Sequence, residues 1–156
     1  PDGFEYKERI HYLFQTVGLR IVDDRDIDLD PSVARELYLE TPQMRAYEAL
    51  IEYLCEGRTN AGIVVGDDAV STLVRICGVF TVPEENPSGT VRRLFGRGYS
   101  RTASGLFVIK NAVHRSKSQE QVEREIVWYQ NLRNKSLLDL CTQEYDLLPA
   151  SSKIDG

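Results

Sequence analysis

The segment GLFVIKNAVHRSKSQEQVEREIVWYQNL, residues 105–132, constrains the fold more than any other part of the chain. Its apolar start predicts a buried strand over 105–114 that ends at His114. Ser118 then stands at an N-cap position and Gln121 completes a capping box, so a helix is expected over 118–132 with Val122, Ile126 and Tyr129 facing inward. A strand that feeds a capped helix through a short polar turn brings the helix N-terminus, with its unpaired N–H groups, beside the strand end. Glu125 lies seven residues after Ser118, where a folded-back helix brings its carboxylate to the His114 ring. Such a carboxylate fixes the imidazole tautomer and stabilises positive charge on the ring. Ser116 and Ser118 add hydroxyls nearby. Two readings of His114 stand side by side at this point: a structural histidine at a strand end, or a nucleophile.

Upstream, helical spacing of Ile10, Leu13, Phe14 and Val17 predicts a helix over 6–18, closed by Gly18. A strand is expected over 19–29. Asp30 before Pro31 signals a helix over 30–40, and Thr41 before Pro42 repeats the signal for a helix over 41–57 with Ala46, Leu50, Ile51 and Leu54 on its inner face. TNAGIVVG, residues 59–66, reads as a buried strand, and DDAVSTLVRICG, residues 67–78, as a short helix with an acidic cap. Pro83, Pro87 and Gly89 make 79–96 a long loop with one helical turn at its end. Residues 1–135 are expected to form one domain and 136–156 a tail of a short amphipathic piece and a frayed polar end. Alternating helices and strands predict an α+β sandwich in which helices cover an antiparallel or mixed sheet. A first strand is expected upstream of Pro1.

Charge narrows the partners. With 19 Lys and Arg against 24 Asp and Glu, the chain has a net charge of −5. Nucleic-acid binding driven by bulk positive charge is therefore not expected, nor is a membrane partner, because no apolar run is long enough to span a bilayer. Three cysteines match no metal spacing and no disulfide framework; reduced thiols and a cytoplasmic setting are expected. Two histidines, His11 and His114, make a histidine-rich metal site improbable, and no protein-bound metal is expected.

Arg75, Thr81, Thr90 and Arg92 lie near turns in one loop system. Guanidinium and hydroxyl donors of this kind can clamp phosphate oxygens and neutralise charge in an in-line phosphoryl transfer. NAVHRSKSQEQVEREIVWY, residues 111–129, resembles the active-site signature of nucleoside diphosphate kinases, which runs Asn-x-x-His-Gly-Ser-Asp-Ser and reaches a Glu-Ile pair on the next helix. Asn111, His114, Ser116, Ser118, Glu125 and Ile126 match it with the spacing intact. PDG (1–3), EYLCEG (52–57), VVGDDAV (64–70) and RICGVFTVPEENPSGTVR (75–92) resemble further family stretches in the same order. The resemblance implies a ferredoxin-like α/β sandwich with an antiparallel sheet of about four strands, in which the first strand is upstream. It implies transfer of the terminal phosphate of a nucleoside triphosphate to a diphosphate through a phosphohistidine on His114. Glu125 would orient the ring and Ser116 would bond to Glu125. Arg75, Thr81 and Arg92 would hold phosphates, Asn111 the sugar, and Tyr38 would stand near the histidine. Mg2+ would be bound through the nucleotide phosphates. A homo-oligomer is implied as well.

The chain departs from that pattern at several points. The family glycine after the histidine is Arg115, which either crowds the site or adds a phosphate contact, and the family aspartate is Lys117. The family's phosphate-contacting lysine would lie upstream of Pro1. The phenylalanine that stacks on the base aligns with Ala46, leaving Tyr47 and Leu50 as candidates to line the base. An insertion over 93–110 carries Arg93, Arg97, Arg101 and Lys110 among glycines and aromatics. It reads as a solvated hairpin or oligomer contact, as an anion-binding flap, or as a surface for a nucleic-acid strand. The alternative to an active enzyme is a catalytically impaired member of the family, serving as a scaffold or nucleotide-binding module.

Overall fold

The computed structural model describes residues 1–39 and 46–147, the last thirteen of these through their backbone alone. After a 3-10 turn at Phe4–Tyr6, helix α1 spans Lys7–Thr16 and buries Ile10 and Phe14. Gly18, at φ 83°, reverses the chain into strand β1, Arg20–Ile27. Helix α2, Pro31–Leu37, starts as its capping signal predicts: Asp30 Oδ1 accepts from the backbone N–H of Ser32 at 2.7 Å and of Val33 at 3.0 Å. The Thr41–Pro42 start of the next helix lies outside the described residues. Helix α3 spans Tyr47–Cys55. Its buried residues are Tyr47, Ala49, Ile51 and Tyr53, not the narrower Ala46, Leu50, Ile51, Leu54 face expected. The difference has a packing cause. Tyr47 and Ile51 pack with Ala34 of α2, while Ala49 and Tyr53 pack with Val108 on another side, so α3 is covered twice.

Strand β2, Thr59–Val65, pairs antiparallel with β1 from Arg20↔Val65 to Ile27↔Thr59. A register shift between Ile21 and Asp23 leaves Val22 on the surface. Helix α4, Ala69–Cys77, follows. Its expected acidic cap is absent: Asp68 sits at φ 46° and caps nothing with its side chain, while its carbonyl accepts from Thr72 N–H. The long loop contains a 3-10 turn at Pro83–Glu85 and ends in helix α5, Val91–Phe95. Asn86 organises the loop by accepting from Phe80 N–H at 3.0 Å and donating to the Phe80 and Val82 carbonyls.

The insertion forms a hairpin, one of the readings its sequence offers, with strand β3 (Gly98–Arg101) against strand β4 (Phe107–Lys110). Its tip is fastened to α3: Ser104 N–H donates to Glu52 at 2.7 Å and Ala103 N–H to Glu56 at 2.6 Å. Tyr99 and Phe107 are exposed on its outer face, with Arg101 stacked 3.8 Å over the Phe107 ring. The buried strand expected over 105–114 is therefore only four residues long, and Asn111–Ser118 continue beyond it without strand pairing.

Helix α6 runs unbroken from Gln119 to Leu147, past the domain edge expected at 135. Tyr129 is buried, and Trp128 Nε1 donates to the Val33 carbonyl at 3.0 Å, tying α6 to α2. The main core joins Ile10, Phe14, Leu19, Cys77 and Val91, with Ile21, Val64, Phe95 and Val113 packed against it. Val113 thus anchors the residue before His114 in the core. The architecture is α+β, with four strands in two antiparallel pairs among the described residues.

Candidate active site

His114 lies beyond β4 in an irregular segment, so backbone pairing does not hold it. Three other contacts do. Val113 N–H donates to the Asn111 carbonyl at 2.9 Å, closing a tight turn around Ala112, which takes φ 67°. Gly3 lies so close that a Cβ there would overlap the Ala112 carbonyl oxygen, so the PDG stretch packs directly against this turn. The Val113 carbonyl accepts from Arg92 Nη2 at 3.2 Å and Nε at 3.4 Å.

The ring itself is gripped at both nitrogens. Nε2 is 2.8 Å from Glu125 Oε1, and Nδ1 is 3.0 Å from the Tyr38 hydroxyl. A carboxylate only accepts, so Nε2 carries the proton and donates it to Glu125. In the neutral ring Nδ1 is then the bare nitrogen, and the Tyr38 O–H donates to its lone pair. The His114 side chain is 30% exposed and Glu125 13%, so the ring is reachable while its brace is largely covered. Ser116 Oγ donates to Glu125 Oε2 at 2.5 Å, and Gln121 Nε2 donates to Oε1 at 2.6 Å.

Burial pushes the Glu125 carboxyl up, but the bonds from His114, Ser116 and Gln121 together outweigh it and hold the group below the usual glutamate range. A carboxylate with a depressed folded pKa adds stability above its unfolded pKa, near 4.3, and loses it as pH falls through the lower folded value. Above about pH 5 the protein should exceed Glu125→Gln in stability by about 1 kcal/mol, a charge-assisted bond discounted for partial exposure. Urea midpoints measured down to pH 3 should show that advantage vanish; a pH-independent gap would mean that Glu125 is not the titrating group. Burial also pushes the Tyr38 hydroxyl well above its usual range, so it stays a neutral donor.

Gln121 does two jobs of which the sequence signals one. Its N–H is capped by Ser118 Oγ at 3.2 Å, and its Oε1 accepts from Lys117 N–H at 3.1 Å, one residue earlier than an ideal capping box. Its bond to Glu125 was not foreseen, although the i, i+4 spacing on a helix face is the signal that could have found it.

The other expected site residues are spread around this centre. Tyr38 follows α2 and packs against the Ala34, Tyr47, Ile51 cluster. Arg92 is buried, with Nη1 donating to the Gly78 and Phe80 carbonyls at 3.3 and 3.0 Å. Arg75, in the last turn of α4, and Thr81 are exposed, and Asn111 is half-buried. Tyr47 is only 8% exposed, beneath the Arg35 guanidinium, which leaves its ring little face for a base. Leu50 is half-buried against the Ala49, Tyr53, Val108 cluster. Arg115 turns back toward the loop, and its Nη2 donates to the Gly78 carbonyl at 3.2 Å.

Of the other candidate chemistry, Cys77 is fully buried and burial raises its thiol pKa to about 12, so it is an inert core residue. Among the described residues no group of three or more His, Cys, Asp or Glu could hold a metal ion, and no helix is long and apolar enough to cross a membrane.

Comparison with known proteins points to one family. A family model described as nucleoside diphosphate kinase matches residues 1–133. The nucleoside diphosphate kinase of Methanococcus maripaludis is 34% identical over 128 residues, covering 81% of this chain and 89% of that protein. That of Methanocaldococcus jannaschii is 34% identical, covering 81% of this chain and 84% of that one. Among solved structures, the Aquifex aeolicus nucleoside diphosphate kinase superposes with a TM-score of 0.71 at 27% identity, over 83% of this chain and 88% of that one. The Borrelia burgdorferi enzyme, solved as a transition-state mimic with vanadate and ADP, shares the fold at a TM-score of 0.70 and 23% identity, over 83% of this chain and 81% of that one.

Proposed function

The chain belongs to the nucleoside diphosphate kinase family, and from that premise we propose that His114 Nδ1 is the atom that carries the phosphoryl group between nucleotides. The observation that supports this most is the pair of bonds at the ring: Glu125 holds the Nε2 proton, so the nitrogen facing Tyr38 is the one with a lone pair. That lone pair attacks the terminal phosphorus of a nucleoside triphosphate. A P–N bond forms, the bond to the bridging oxygen breaks, and the diphosphate leaves with the electron pair of that bond. The ring becomes positively charged, and the Glu125 carboxylate across Nε2–H stabilises that charge without taking the proton. Ser116 and Gln121 keep the carboxylate aimed. A second nucleoside diphosphate then attacks the phosphohistidine and reverses the steps.

Tyr38 must release Nδ1 for the attack. Its hydroxyl, kept neutral by burial, would then donate to a phosphate oxygen. On this reading Arg75 and Thr81, both exposed, would meet the phosphate chain, and Asn111 the sugar. The donor set suits a metal–nucleotide complex better than a protein-held ion: the Glu125 carboxylate already accepts three hydrogen bonds, and Arg92 and Arg115, which meet at the Gly78 carbonyl, are guanidinium ions. Mg2+ would enter on the nucleotide phosphates and neutralise part of their charge. A cytoplasmic setting suits both nucleotide chemistry and the free thiols of Cys55 and Cys77, and a homo-oligomer remains the expectation from the family.

Kinetics with ATP and a second nucleoside diphosphate test the reading. A phosphoenzyme requires parallel double-reciprocal lines, because the first product leaves before the second substrate binds. Intersecting lines would mean direct transfer in a ternary complex and would remove the histidine from the path.

A further inference from the structure

We propose that Arg115, standing where the family pattern has glycine, supplies a second guanidinium to the phosphate seat beside His114 and binds an oxygen of the nucleotide's phosphate chain. This rests on the nucleotide-transfer reading of the same site. The first support is where the side chain goes. Arg115 Nη2 reaches the Gly78 carbonyl at 3.2 Å, and Arg92 Nη1 reaches the same carbonyl at 3.3 Å. Two guanidinium tips therefore meet at one oxygen, on the loop that continues into Thr81.

The second support is charge. Among the described residues, neither guanidinium forms an ion pair; every bond they make is to a backbone carbonyl. The Arg92 guanidinium lies below the usual arginine range, first through burial and then through the charge of Arg115, so the two groups feel each other's field. Two like charges converging without a counter-charge are relieved by an anion, and a planar guanidinium is well matched to phosphate. The third support is unused donor capacity. Arg115 Nε is buried and makes no hydrogen bond, and of the five N–H groups a guanidinium carries only one is engaged. A glycine could offer none of this.

The opposite possibility is that the side chain obstructs the site. ADP binding by calorimetry at low salt separates the two, with adenosine as the control that lacks phosphates. Arg115→Gly and Arg115→Gln should weaken ADP binding about tenfold, roughly 1.4 kcal/mol. Adenosine binding should not change. Arg115→Lys should recover part of the loss, and added NaCl should narrow the gap between wild type and Arg115→Gln. Tighter ADP binding by Arg115→Gly would establish obstruction; ADP affinity within twofold of wild type, or equal loss for adenosine, would equally overturn the proposal. Should the glycine variant unfold, the glutamine and lysine variants decide. A wild type that binds ADP through Arg115 yet never becomes phosphorylated would overturn the transfer mechanism and leave this site standing. A phosphorylated Arg115→Gln with unchanged ADP affinity would do the reverse, and a wild type that fails to bind ADP would overturn both.

Discussion

Incubated with γ-labelled ATP and no acceptor, the wild-type chain is expected to become labelled, and His114→Ala to stay unlabelled. The bond should identify itself by chemistry. A phosphoramidate on imidazole is protonated and cleaved in acid but survives base, whereas a phosphoserine behaves in the opposite way. Ser116 makes this contrast useful, because its hydroxyl lies on the same carboxylate as the ring. Label that is acid-stable would move the chemistry to a hydroxyl. For transfer, loss of the nucleophile should cost on the order of 10^4-fold or more in kcat, since the covalent intermediate forms on the lost imidazole. The alanine variant should still fold. The ring is 30% exposed and its removal leaves Glu125 with the Ser116 and Gln121 donors, so stability should change by no more than about 1–2 kcal/mol. A folded His114→Ala that labels at the wild-type rate would end the phosphohistidine mechanism for this site.

The distance between residues 114 and 125 was legible in the sequence because both ends are set by local rules. A serine cap fixes where α6 begins, 3.6-residue periodicity fixes which face Glu125 occupies, and the capping glutamine completes the turn. Helices α1 and α2 were legible for the same reason, as the Asp30 cap shows. What failed were statements about strands and burial, which depend on distant partners. The run 105–114 is apolar enough to be a strand, yet β4 stops at Lys110 because β3, its one partner among the described residues, is four residues long, the Asn111 carbonyl is taken by the Val113 N–H and the Val113 carbonyl by Arg92. Periodicity assigns α3 one inner face, and no local rule reveals that the hairpin covers a second. Tyr47 was likewise placed near the base by its neighbour in the alignment, while its burial depends on packing with Ala34 and Ile51.

Arg92 is where the sequence reading and the structure make different demands, and substituting it has the second large expected effect. The resemblance assigns it to nucleotide phosphates. The structure uses its guanidinium as a latch: one face ties Gly78 and Phe80 of the loop, the other ties Val113, next to the catalytic histidine. Arg92 is 6% exposed, and removing it strips hydrogen bonds from one buried and two partly buried carbonyls, at about 1–3 kcal/mol for each one left unsatisfied. The Gly78 carbonyl keeps Arg115 and the Phe80 carbonyl keeps Asn86, which leaves the Val113 carbonyl bare, so a net loss of about 2 kcal/mol is expected for Arg92→Met, about 6 °C in Tm for a domain of this size. Lysine keeps the charge but not the fork, and a single ammonium cannot reach carbonyls on both sides, so Arg92→Lys should lose most of the same stability. Both should lose transfer activity by at least about 100-fold, because the Val113 carbonyl fixes the backbone from which His114 projects. Arg75→Ala is the contrast. Arg75 is exposed, so its loss should leave the urea midpoint within about 0.5 kcal/mol of wild type while raising KM for the diphosphate. If Arg92→Met instead keeps its urea midpoint and loses activity only through KM, Arg92 behaves like Arg75: the carbonyl bonds then stabilise little, and the guanidinium serves the phosphates alone.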